Sequence, residues 1–230
     1  MNQRSSENRF SFFRNSIACT SILLCCQAGA NAQALINGSF ELGPDPGTFT
    51  NIFGGSNVIN GWTVTGDGID YVRTIWVSSD GERSLDLDGS AGPPYPHGGV
   101  SQSISTAPGT TYTVFFDMAG NPVGGVPLKQ MRVSANGQFG DFTFDTSGKT
   151  LSSMGWDNKS WSFVADANTT TLTFQSLTVG AGIGWGPALD NVRISAVPET
   201  SSLMLLIAGG IVFGATIAVR RQTTLGALDA

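Results

Sequence analysis

Tyr112-Thr-Val-Phe-Phe-Asp-Met118 is the stretch on which the fold turns. On a pleat of period two, Phe115 and Phe116 fall on opposite faces, so the segment is apolar on both and predicts a central strand. Outward from it, short runs of alternating apolar and polar residues recur between Gly, Pro, Asn and Asp. They predict strands near Leu35–Glu41, Gly61–Thr65, Ile69–Thr74, Arg83–Asp88, Gly99–Thr106, Thr111–Met118, Gln130–Ala135, Asp141–Asp145, Lys159–Val164, Thr170–Gln175 and Ala188–Ala196. No stretch between them carries the 3.6-residue repeat of a helix. Gly supplies 30 of 230 residues, against an average usage of ~7%, as a chain with many tight turns requires. The spacing predicts an all-β domain: an antiparallel two-sheet β-sandwich or jelly roll.

Both ends of the chain are hydrophobic, in different ways. Arg4, Arg9 and Arg14 precede the apolar run Ile17–Cys26, and Ala30-Asn-Ala-Gln-Ala34 follows it. A charged region, a short apolar core and small residues at the cleavage positions predict a signal peptide over 1–34. Signal peptidase would cut after Ala34, with Ala32 as the alternative. At the other end, Val197-Pro198-Glu199-Thr200 leads into the uncharged run Leu203–Val219 and then Arg220-Arg221. Residues 201–219 are long enough to cross the bilayer core as a helix at ~1.5 Å per residue. The sequence therefore predicts an exported domain over 35–197, a membrane-inserting segment over 198–221 and a short tail over 222–230.

That tail resembles the PEP-CTERM sorting signal of bacterial exopolysaccharide and biofilm producers. In those proteins a Val-Pro-Glu-Pro-type motif, a transmembrane helix and an Arg cluster are read by an exosortase, which removes the helix. The resemblance covers Val197–Arg221 and implies processing at Pro198, Glu199 and Thr200. Thr200 replaces the usual second proline, and Gln222–Ala230 extend past the arginines where the family normally stops. Val197-Pro-Glu-Thr-Ser201 also resembles a degenerate sortase motif, and a plain C-terminal anchor with its Arg pair in the cytoplasm is the third reading. A GPI signal fits poorly, because its hydrophobic tail would end the chain.

Composition restricts what lies between the ends. Cys19, Cys25 and Cys26 all fall within 1–34, so the exported domain has neither disulfide nor thiolate chemistry. Residues 35–197 form one domain by size, large enough to bury about two-thirds of the surface its chain would expose. They carry seven Lys/Arg against fourteen Asp/Glu, a net charge of −7. Such a surface repels phosphate backbones and anionic headgroups, which excludes nucleic acid as a natural partner.

Eight short motifs occur in one order: Asn37-Gly-Ser-Phe-Glu41, Gly61-Trp62, Ile69-Asp-Tyr71, Ser84-Leu-Asp-Leu87, Val100-Ser-Gln102, Tyr112–Asn121, Met154-Gly-Trp156 and Gly186-Pro-Ala-Leu-Asp-Asn191. Together they resemble the choice-of-anchor C family of secreted bacterial domains, itself similar to plant cell-wall domains of unknown function. The resemblance spans about Leu35–Ile194. It implies a galactose-binding-like jelly roll with an extracellular matrix or surface role, and it supplies no reaction. Such sandwiches often tie their first strand to their last with a structural Ca²⁺. That implies Glu41, Asp190 and Asn37 as ligands, completed by carbonyls.

Residue types argue against catalysis. Asp86 and Asp88 share one strand face, an arrangement open to the carboxylate pair of a glycoside hydrolase. However, Leu85-Asp-Leu-Asp88 reads more simply as leucines inward and aspartates facing solvent or binding turns. His97 is the single histidine and sits in a Gly/Pro-rich loop, a solvated position without a nearby elbow serine. A binding module fits better, since sugars pack on aromatic faces while amides and carboxylates satisfy their hydroxyls. Trp62, Trp156 and Trp161 read as core, whereas Trp76, Tyr95 and Trp185 lie among Gly, Ser and Pro and are the expected platform. The expected partner is an extracellular polysaccharide. The rival reading is a structural or adhesive surface protein that contacts other proteins.

Overall fold

The computed structural model describes residues 35–89, 97–180 and 184–198. The expected signal peptide, Tyr95, the cleavage residues Ala34, Glu199 and Thr200, and the span 201–219 lie outside these. No helix among the described residues is long and apolar enough to cross a membrane.

Eleven strands run in chain order: β1 (Phe49–Phe53), β2 (Thr63–Thr65), β3 (Gly68–Val72), β4 (Ser84–Asp86), β5 (Gly99–Ser105), β6 (Thr111–Gly120), β7 (Leu128–Ala135), β8 (Gln138–Asp145), β9 (Asp157–Val164), β10 (Thr169–Ser176) and β11 (Pro187–Ala196). They form two antiparallel sheets, ordered β1-β3-β4-β11-β6-β9 and β2-β5-β10-β7-β8. The protein is an all-β two-sheet sandwich, as the spacing of its apolar runs predicts.

The core is made by strand alternation. On β6, Tyr112, Val114, Phe116 and Met118 are all fully buried, and Leu172 and Phe174 of β10 face them from the other sheet. Phe116 meets Phe174 and Phe142 edge-on, each at a centroid separation of 5.2 Å. β6 is an internal strand beside the edge strand β9, as its two apolar faces require.

Leu35–Glu41, expected as a strand, is instead an irregular segment. Asn37 and Phe40 take left-handed backbone angles (φ 55 and 62), and the Phe40 amide closes a turn onto the Asn37 carbonyl at 3.1 Å. Asn tolerates that conformation, and here its side chain also binds backbone groups at Leu42 and Asn60. The segment still lies against the last strand: Val192 donates to the Gly38 carbonyl at 2.9 Å, at a bulge in β11 between Asp190 and Arg193. Any side chain at Gly38 would strike the Val192 carbonyl. β1 was hidden from pattern reading because it is a mostly exposed edge strand in which only Ile52 is buried.

Candidate functional site

Sheet alternation places the site on the face of the six-stranded sheet that points away from the core. Leu85 and Leu87 turn inward, so Ser84, Asp86 and Asp88 turn outward; Asp70 on β3 is the register partner of Asp86 on β4. These outward carboxylates are not solvated. Asp70, Asp86 and Asp88 are all buried, Asp86 to 1% exposure, because loops close over the face. Of the two sequence readings for Asp86 and Asp88, turn binding holds and solvent exposure does not.

A cleft of about 260 Å³ opens over this pair, lined by Phe49, Trp76 and Trp185 as rings and by Asp70, Asp86 and Asn121 as polar groups. Two expected platform residues, Trp76 and Trp185, thus meet in one place although 109 positions apart (185 − 76). They differ in character. Trp76 is buried, with its indole N–H donated to the Ser84 hydroxyl at 2.8 Å. Trp185 is 38% exposed and Phe49 45%, and both form the accessible rim.

Trp185 is held from three sides. Asn121 donates to the Gly184 carbonyl at 2.7 Å, the Gly186 amide donates to Asp86 Oδ1 at 2.9 Å, and Lys129 Nζ donates to the Trp185 carbonyl at 2.6 Å. Its ring packs on Gly124, where an added Cβ would lie 2.7 Å from two ring carbons. A ring fixed by its backbone and its floor loses little freedom when a ligand packs on it.

The charges around the cleft are unbalanced. Burial pushes the Asp86 carboxyl up to about 8, and the charges of Asp70 and Asp88 push it the same way, against hydrogen bonds from the Asp88 amide and Asn121. Asp88 is raised by burial and partly relieved by Ser176 and by His97, whose Nδ1 lies 3.5 Å away. His97 is therefore half-covered beside a carboxylate, not a free loop histidine. Lys129 is wholly buried, which lowers its pKa while Asp86 and Asp88 raise it.

Glu41, Asp190 and Asn37 are placed elsewhere. Asp190 accepts the amides of Ser79 and Asp80 at 2.8 and 2.9 Å and that of Asn191 at 2.6 Å. Burial pushes its carboxyl up to about 7 despite these bonds. Glu41 accepts the amides of Glu82 and Arg83, each at 2.8 Å. The two carboxylates grip opposite ends of one loop, and Asn37 is turned to Leu42 and Asn60. No cluster of three or more His, Cys, Asp or Glu arranged for a metal occurs among the described residues.

Trp62 is core as expected, but Trp156 and Trp161 are only partly buried. Phe49, Asp70, Asn121 and Lys129 were not singled out in sequence. Asp70 did carry a signal, an acid inside the otherwise apolar Gly68-Ile-Asp-Tyr-Val72, every residue of which is buried.

Fold and site together define a disulfide-free β-sandwich with an aromatic-walled cleft over buried acids. The chain matches the family described as "Protein of unknown function (DUF642)" over residues 33–195, and it belongs to that family. It is 29% identical over 164 residues to Halomucin of Haloquadratum walsbyi, covering 69% of this chain and 2% of that protein. It is 26% identical over 171 residues to "Protein DUF642 L-GALACTONO-1,4-LACTONE-RESPONSIVE GENE 1" of Arabidopsis thaliana, covering 71% of this chain and 42% of that protein. The chain thus spans less than two thirds of either relative. Among solved structures it is similar to a family 35 carbohydrate-binding module from Clostridium thermocellum, with 13% identity, TM-score 0.41, 63% of this chain and 97% of that one. It is also similar to the CBM22-1 xylan-binding domain of Paenibacillus barcinonensis Xyn10C, with 15% identity, TM-score 0.40, 66% and 94%. Likeness at this level carries no ligand or site across.

Proposed function

We propose that this is an exported, surface-anchored, non-catalytic module that binds extracellular polysaccharide in the cell envelope or biofilm matrix. The observation that carries the reading is the cleft itself, which Trp185, Phe49 and Trp76 line together with Asp70, Asp86 and Asn121. Rings offer a face to sugar C–H groups, and the amide and carboxylates offer partners to hydroxyls. The net charge of −7 over residues 35–197 disfavours strongly anionic glycans. The galactose-binding-like jelly-roll class and the choice-of-anchor C relationship belong to the same proposal, supported by the two antiparallel sheets.

The test is a glycan array and pull-down of the full-length protein against extracellular polysaccharides. Trp185→Ala is expected to weaken binding by about 0.5–1.5 kcal/mol with little loss of stability, because the ring is on the rim. Trp76→Ala would confound binding with stability, since that ring is buried. Unchanged affinity in both Trp185→Ala and Phe49→Ala would remove the cleft as the glycan site.

Processing and anchoring complete the proposal. Signal peptidase would release the domain near Ala34, and a sorting protease of exosortase type would act near Pro198–Thr200. The membrane segment would hold the protein until then. Intact mass spectrometry of surface material is expected to show neither 1–34 nor 201–219. A mass that retains 201–219 would make the tail a simple anchor.

Calcium is a separate proposal. An ion bound by Glu41, Asp190 and Asn37 would have to take their oxygens from the N–H donors they now satisfy. In exchange it would join both grips on the Ser79–Arg83 loop and bind the folded state only. The expected result is a melting midpoint raised by CaCl₂ and lowered by EGTA. A midpoint indifferent to both, with Asp190→Asn behaving alike in the two, rejects the ion.

A further inference from the structure

We propose that the outer edge of β1 is a self-pairing surface: two copies of the domain join β1 to β1, antiparallel about a two-fold axis, so that their six-stranded sheets run on as one. The pairing follows from how the four sheet edges are treated, and it does not depend on the sugar reading.

An unpaired strand edge is a template for another strand, and folded proteins blunt it with charge or cover it. The edges here are β1 and β9 in one sheet and β2 and β8 in the other. β2 is closed at its middle residue: Val64 donates to the Ser56 carbonyl and accepts from the Gly55 amide, each at 2.8 Å. β9 carries Asp157 and Lys159, and the Gln138 side chain donates to the Val164 carbonyl at 2.8 Å and accepts from its amide at 3.2 Å. β8 carries Asp141 and Asp145. β1, Phe49-Thr-Asn-Ile-Phe53, has neither device, and no Asp, Glu, Lys, Arg or His occurs from Pro46 to Gly66.

The backbone of β1 is set for such a pairing. Arg73 donates to the Thr48 carbonyl at 3.0 Å and Gly54 to the Asp67 carbonyl at 3.3 Å, which fixes the even positions as those bonded to β3. Phe49, Asn51 and Phe53 therefore turn their amides and carbonyls outward. Among the described residues, nothing beyond β3 bonds the backbone of Phe49 or Asn51. Ile52 points into the core, so Phe49, Asn51 and Phe53 share the outer face of the sheet, the two rings 45% and 66% exposed.

A second copy is the occupant this strand fits. In a pair centred on Asn51, Phe49 of each copy lies opposite Phe53 of the other, and Asn51 lies opposite itself. Two cross-strand ring pairs then form on the outer face, and the outward backbone groups exchange ladder bonds. Each domain carries a net charge of −7 over residues 35–197, so copies repel; over 46–66 they bring no charge to the contact. Five residues a side is a small contact, so the dimer is weak and concentration-dependent. Phe49 also lines the cleft, so pairing sets two clefts on one continuous face.

The experiment is sedimentation equilibrium of the full-length protein, in a non-ionic detergent that covers the apolar run Leu203–Val219, together with amide exchange at low and high protein concentration. The mass is expected to rise from one chain to two as concentration increases. The Phe49 and Asn51 amides should slow about ten-fold at roughly nine-tenths pairing, while those of Thr50 and Ile52, already bonded to β3, stay unchanged. Phe53→Lys puts a charge on the edge without touching the core or the cleft lining, and should leave a single-chain mass at every concentration. If that variant misfolds, the exchange pattern of the unmodified protein decides alone. A single-chain mass of the unmodified protein throughout overturns the pairing. So does a dimer in which Phe49 and Asn51 exchange as fast as in the dilute protein, since another surface would then join the copies.

Discussion

Trp62→Ala is expected to destabilise the domain by about 3–5 kcal/mol, the range for truncating a large buried ring. Trp62 is 1% exposed, and it packs between Phe40 at 5.2 Å and Phe174 at 6.2 Å. Phe174 in turn meets Phe116 across the sandwich. One ring therefore links the entry segment to both sheets. Its indole N–H also holds the Asn37 carbonyl at 2.9 Å, so the variant loses a hydrogen bond as well as area. Urea denaturation of the full-length protein is the measurement. A loss below about 1 kcal/mol would mean that neighbouring side chains collapse into the space and that the entry segment is not pinned from this side.

The second large effect is on pH. In the unfolded chain Asp86 and Asp190 lose their protons near 3.8; in the folded domain burial holds them to about 8 and about 7. Between these limits the folded state binds more protons than the unfolded one, so stability falls as pH rises. The contribution is complete at acid pH and is lost by about pH 8, at roughly 1.4 kcal/mol per pH unit for each group titrating alone. Asp88, raised by burial, adds to the decline. Asp117 is driven up by burial but held below its ordinary value by Ser79, Asn158 and Asn191; its stabilisation is already complete above 3.8 and does not oppose the trend. Urea midpoints are expected to fall steadily from about pH 4 to pH 8. Asp86→Asn, which mimics the protonated acid, should flatten part of that slope, and Asp190→Asn another part. A stability profile that rises or stays level over this interval would show that both acids are ionised in the fold.

Strand positions were readable from sequence to within a few residues wherever one face was buried, because alternation follows directly from burial. Arg83–Asp88 and Thr170–Gln175 illustrate this, overlapping β4 and β10. Leu35–Glu41 failed for a backbone reason. Its alternation resembles a strand, but the left-handed angles at Asn37 and Phe40 break the ladder, and nothing in a hydropathy pattern records φ. β1 failed for the opposite reason, since an exposed edge strand alternates weakly.

The site was half legible. Trp185 could be suspected because a large ring among glycines has no local packing to explain it. Asp86 was misjudged because a strand shows which residues turn outward but not what covers them afterwards. The loops that carry Trp76, Asn121 and Trp185 close over that outer face, so acids that alternation assigns to solvent become the buried floor of a cleft.

By itself the sequence determined the all-β class and the acidic, cysteine-free composition of residues 35–197, since each depends on composition or on neighbours along the chain. Tertiary structure alone decided that Asp70 and Asp86 share a register, that Lys129 reaches across from the other sheet to the Trp185 carbonyl, and that two tryptophans far apart in sequence enclose one space. The reason is physical: burial, pKa and ring geometry at these positions are set by contacts between residues distant in the chain, and a linear pattern holds no record of which distant residues those are.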